Sequence, residues 1–113
     1  MSGKTSQRKG ANGERELATR LQEEGFQVRR GQVFNHESDL IGLEGIHPEV
    51  KRVEKLNVWE AINQAIREAI KRKDGIPILF HRRNKTGMKD KYEDWLVTMR
   101  FEDWVEFYRK WKQ

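Results

Sequence analysis

Apolar residues recur along the chain in two periods. From Gly10 onward Ala11, Leu17, Ala18 and Leu21 form a helical stripe, and Gly25 ends it as a C-cap. Val58, Ala61, Ile62, Ala65, Ala69 and Ile70 repeat at three and four residues and predict the clearest helix, over 57–73, closed by Asp74-Gly75. Phe101, Trp104, Val105, Tyr108 and Trp111 mark a C-terminal amphipathic helix. Shorter runs predict strands. The first starts at Phe26 and Val28, with Val33 a further candidate, and the second takes Leu40, Ile41 and Leu43. The third spans Ile46 to Val53, and a short buried one holds Ile76, Ile78, Leu79 and Phe80. The last is Trp95 to Met99. The order is helix, three strands, helix, strand, strand, helix. It predicts an α/β domain whose sheet is covered by helices on both faces. Residues 1–9 have almost nothing to bury and read as a flexible basic arm ahead of a single domain over 10–113.

Composition narrows the partners. The 23 Lys and Arg against 18 Asp and Glu give a net charge of +5, compatible with an anionic partner. No cysteine is present, which excludes disulfides and cysteine-based zinc sites and makes a reducing interior the simpler compartment. The longest apolar run, Ile76 to Phe80, is far below a membrane span, and the basic N-terminus leads into no apolar segment. The expectation is a cytoplasmic protein with no membrane partner.

The richest chemistry lies between residues 39 and 51. Asp39 precedes an apolar run, and Glu49 and Lys51 follow one residue apart. Strand alternation puts Glu49 and Lys51 on one side, roughly 6–7 Å apart, and turns Val50 into the core. Glu44-Gly45 is a plausible turn, and a hairpin there brings Asp39 beside Glu49. Two carboxylates and an ammonium then share one polar spot, suited to a hard divalent cation and a phosphodiester. Glu14, on the first helix, is the candidate for a further acid. The plainer readings are a solvated Glu14 paired with Arg15 or Lys9, and Glu49 and Lys51 as a surface pair. His36 and His47 read as loop residues rather than ligands.

The ordered set Gly10-Ala11-Asn12-Gly13-Glu14-Arg15-Glu16, Gly25-Phe26, Arg30, Asp39 and Glu49-Val50-Lys51 resembles the archaeal-type Holliday junction resolvases of the PD-(D/E)xK nuclease superfamily. The resemblance covers roughly residues 8–80. Small resolvases of this kind also occur in bacteriophages, which suits the short chain. It implies a restriction-endonuclease-like core with a mixed central sheet, and catalytic Glu14, Asp39, Glu49 and Lys51. Ser38 stands where the superfamily name has proline, and it matches an accessory serine only loosely in spacing. Asp39, Glu49, the Val50 carbonyl and Glu14 would hold Mg²⁺, with Mn²⁺ able to substitute. Lys51 would orient the attacking water or stabilise the transition state. The resemblance further implies cleavage to a 5′-phosphate and a 3′-hydroxyl. The family arginine falls on Arg30, with Arg29 also open. Gln64, at the edge of the second helix's stripe, is either an accessory residue or a boundary hydrogen bond.

Lys4, Arg8 and Lys9 could follow a phosphate backbone, and Arg15, Arg29 and Arg30 could grip the scissile strand. Arg82, Arg83, Lys85, Lys89 and Lys91 crowd a loop that could reach a second duplex arm or simply be solvated. Trp59 falls beside the second helix's stripe. Core packing is favoured for Trp95 and Trp104, with a homodimer interface as the alternative for the C-terminal aromatics. The expected function is a structure-specific endonuclease that resolves four-way DNA junctions. The alternatives are a less selective nuclease on flaps and other branched DNA, or a non-catalytic DNA-binding module.

Overall fold

The computed structural model describes the backbone of residues 3–83 and 95–113, with side chains from residue 12 onward in those ranges. Helix α1 (Gly3–Glu23) opens the fold and includes most of the stretch expected to be an arm. Strand β1 (Arg29–Arg30), a 3₁₀ turn (Val33–Asn35), β2 (Leu40–Ile41) and β3 (Ile46–Arg52) follow. Then come α2 (Val58–Arg72), β4 (Ile76–Arg82), β5 (Leu96–Thr98) and α3 (Phe101–Trp111). The central sheet has the order β3-β4-β5 and is mixed. β3 and β4 run parallel, whereas β4 and β5 are antiparallel.

This is a mixed α/β, restriction-endonuclease-like arrangement, and the two faces of the sheet can be read from its register. Val50 lies beside Phe80 and Glu49 beside Leu79. Val50 joins Leu17 and Ala18 of α1 with Val28 and Leu40 in one core cluster, against which Phe80 and Trp95 pack. Leu79 joins Ala61, Ile62 and Ala65 of α2 in the other. Helix α1 therefore covers one face and α2 the other. A polar tie reinforces the α1 side. Glu16 takes two hydrogen bonds from Arg82 (2.6 and 2.7 Å) and one from the Trp95 indole (2.9 Å). Helix α2 is well capped: Asn57 accepts the Glu60 N–H (3.1 Å), and Lys73 closes it in the left-handed region.

Several expectations need correction. The first two strands are short and pair with each other as an antiparallel ribbon. The turn at Glu44-Gly45 forms, yet no β2–β3 hairpin ladder follows it. A side chain makes that junction instead, as described below. Val33 lies in the 3₁₀ turn and not in a strand. His47 is not a loop residue; it sits within β3 and is 2% exposed. Ile70 and Trp104 are exposed despite their place in apolar stripes, and Trp59 is 80% exposed. Helix periodicity marks which residues share a face but not whether anything in the same chain covers it. Among the described residues no helix is long and apolar enough to cross a membrane.

Candidate active site

Strand alternation sends His47, Glu49 and Lys51 to the α2 side of β3 and Val50 to the α1 side. Glu49 is buried, and the Lys51 ammonium lies 3.7 Å from its carboxylate. Asp39, at the start of β2, accepts the Val50 backbone N–H at 2.7 Å. That bond fixes the Asp39 carboxylate at the outer edge of β3, next to Glu49.

Glu14 comes from α1. It can approach because the helix crosses β3 at Gly13, where a Cβ would stand only 2.9 Å from the Cβ of Arg52. Its carboxylate is mostly buried and accepts the Arg30 Nε at 2.8 Å. Arg30 is thus the arginine that faces the site. Arg29 turns outward into a bidentate pair with Glu37 (3.1 and 2.7 Å).

The charges of these groups reach the Asp39 carboxyl. The Asp39 carboxyl is pushed up to about 7, first by burial and then by the negative charge of Glu49. The Val50 N–H offsets part of this, Glu14 raises it further, and Lys51 lowers it. Buried Asp39 therefore lies within reach of charges carried by α1 and β3.

The donor set is entirely oxygen and carries surplus negative charge, which suits Mg²⁺ or Mn²⁺. As placed, no three His, Asp or Glu side chains among the described residues converge tightly enough to hold an ion. Each carboxylate instead rests on another partner. Glu14 rests on Arg30, Asp39 on the Val50 amide, and Glu49 near Lys51 and His47.

Behind Glu49 lies a buried polar network that the sequence reading missed. Ser38 donates to Asp74 (2.6 Å) and lies 3.2 Å from His47 Nδ1, which is 2.9 Å from Asp74. His47 Nε2 lies 3.8 Å from the Glu49 carboxylate. Burial alone would depress the His47 imidazole, but the nearby Glu49 carboxylate and the hydrogen bond to Asp74 raise it. The signal was the alternation His47-Glu49-Lys51, which shares one strand face. Ser38 points into this network, so it anchors the start of β2.

Gln64 and Lys51 line the same cleft of about 270 Å³ together with Asn57 and Glu60, so Gln64 does sit near the site. Arg15 is exposed and bonds Asn12. Arg82 must be withdrawn as a DNA contact: its side chain is 9% exposed and bound to Glu16. Arg83 lies at the exposed end of β4. The side chains of Lys4, Arg8 and Lys9, and the residues Lys85, Lys89 and Lys91, lie outside the described residues.

Residues 5–59 match the family model of the archaeal Holliday junction resolvase (hjc). Over this span the chain is similar to the archaeal Holliday junction resolvases. No curated protein matches the chain. The matched span contains Glu14, Arg30, Ser38, Asp39, Glu49 and Lys51. It ends at the first turn of α2, so β4, β5 and α3 lie outside the match.

Proposed function

We propose that this protein is a metal-dependent endodeoxyribonuclease that resolves four-way DNA junctions. The observation that carries the reading is the Asp39 carboxylate held on the Val50 amide, in the strand where buried Glu49 has the Lys51 ammonium 3.7 Å away. Asp39, Glu49, the Val50 carbonyl and Glu14 would hold the ion, and Mn²⁺ would substitute for Mg²⁺. When bound, the ion supplies a water of lowered pKa and neutralises phosphate charge. The Val50 amide holds Asp39 at the strand edge, and the His47–Asp74 network stands behind Glu49. Lys51, on a rigid strand, orients the water or stabilises charge on the phosphoryl group as it is attacked. A donor fixed before reaction contributes most there. The products are a 5′-phosphate and a 3′-hydroxyl.

Two symmetric cuts across a junction call for two sites related by a two-fold axis, which a homodimer provides. Helix α3 supports this assembly. Phe101, Trp104, Tyr108 and Trp111 form a run of ring contacts with centroids 5.1–6.2 Å apart, and all four are exposed. Leu96 and Val97 of β5 are exposed as well. Acids begin the helix (Glu102, Asp103) and bases end it (Arg109, Lys110), so an antiparallel pair of α3 helices is self-complementary in charge. Arg15, Arg83 and the basic segments at 4–9 and 85–91 would contact phosphates and give a steep salt dependence.

The test is incubation of a labelled synthetic junction, a linear duplex and a flap with Mg²⁺ or with chelator. Paired symmetric nicks near the crossover, abolished by chelator, are expected. Cutting of flaps as readily as junctions would favour the less selective nuclease. Binding without cutting in Mg²⁺ or Mn²⁺ would favour a non-catalytic module.

A further inference from the structure

Beside the site, a pinned turn holds two large apolar side chains out in solvent. Val33 and Phe34 are each 78% exposed. The turn that carries them is well tied. The N–H groups of Asn35 and His36 bond the carbonyls of Gln32 and Val33 (3.1 and 3.0 Å). Glu37 clasps Arg29 twice and also accepts the Gln32 N–H (3.0 Å). The Gly31 N–H closes the base of the loop on the Asp39 carbonyl (2.9 Å). The two ends touch so closely there that a Cβ at Gly31 would collide with the Ser38 carbonyl. The feet of this loop are therefore Arg30, which holds Glu14, and Asp39 itself.

We propose that Phe34, backed by Val33, is a wedge that stacks on an unstacked nucleobase at the branch point. It thereby sets the preference for branched over continuous DNA. The inference rests on the nuclease reading above and names what selects its substrate. Two side chains are far too small a surface for a protein partner. One aromatic ring matches one base face, and such stacking tolerates any sequence. Apolar wedges enter duplexes where base steps part readily, and a crossover provides such steps while a continuous duplex must first be unstacked. The turn is ordered before binding, so little freedom is lost when it engages.

The test compares wild type with Phe34→Ala and Phe34→Trp. In Mg²⁺, the ratio of kcat/KM on a four-way junction to that on a nicked linear duplex is measured. It should fall about tenfold in Phe34→Ala and be held by Phe34→Trp. In Ca²⁺, a junction carrying 2-aminopurine at the crossover should change fluorescence with wild type and not with Phe34→Ala, although both bind. A wild-type ratio and a wild-type fluorescence change in Phe34→Ala would overturn the proposal. So would a shift of that variant's oligomeric state in sedimentation, which would make the turn a contact between copies. If wild type cuts no DNA, the nuclease reading fails by itself, and the fluorescence arm still decides whether Phe34 engages a base.

Discussion

Asp39 stands with its carboxyl pushed up to about 7 by burial and by Glu49. Both carboxylates are buried, and the Glu49 charge adds to the cost of charging Asp39. Asp39→Asn and Glu49→Gln should each lower junction cleavage by about 10³-fold or more, because the metal's effect on the barrier is several kcal/mol. Junction affinity in Ca²⁺-free buffer should stay within a few-fold of wild type. Millimolar Mg²⁺ should raise the Tm of wild type and leave that of Asp39→Asn unmoved. A second residue-scale effect is pH-dependent stability. Burial works against the His47 imidazole, but the Glu49 carboxylate nearby and the hydrogen bond to Asp74 hold it above its ordinary 6.5, so its contribution is full below that value and is lost as pH rises through the raised one. Asp74, though burial works against it, is held below its ordinary 3.8 by Ser38 and His47. Its contribution is present above that value and lost as pH falls through the lowered one. The Tm difference between wild type and Asp74→Asn, measured with chelator, should therefore peak at about pH 5–6 and shrink on both sides. A difference that is flat across this range would show that the pair does not titrate as described.

At the scale of elements, the chain's pattern foretold most of the scaffold. Helix α2 and strand β3 announce themselves because one has a clean helical period and the other a strict alternation around Val50. The placing of Glu49 and Lys51 on one face follows directly. The β1–β2 ribbon was only partly legible, since two-residue strands carry no period. The link from Asp39 to β3 was misread as a hairpin because a single side-chain-to-amide bond leaves no trace in periodicity. His47 was overlooked because burial of a histidine depends on partners far along the chain, here Ser38 and Asp74. Helix α3 was predicted correctly in extent, and Trp104 incorrectly in environment. Gly13 shows how an element can govern the site from a distance. Gly13→Ala forces α1 away from β3 and displaces Glu14 with it. Its cleavage rate should fall at least about tenfold while circular dichroism keeps its helical signal, since a small misplacement of a catalytic group is that costly. Full activity in this variant would remove Glu14 from the machinery.

The whole molecule has a thin core and an uncovered aromatic flank, and these belong together. Small domains bury a low fraction of their surface, and a second copy can complete the burial. Trp104→Asp combined with Trp111→Asp should convert a micromolar dimer to a monomer in sedimentation equilibrium. It should also turn paired symmetric nicks into single ones, with the intrinsic rate per site retained. A double variant that remains dimeric would place the interface elsewhere. One detail of the fold bears on how any of these variants behaves in the tube. Strand β3 lies at the margin of the central sheet, where a free backbone amide invites another chain to add itself as a further strand. The Asp39 carboxylate occupies the Val50 amide at that margin, and so doubles as a guard against filament growth. An inactive Asn variant keeps an oxygen there and should stay dispersed. An Ala variant, equally dead as an enzyme, uncovers the amide and should cloud on concentration, which light scattering would register.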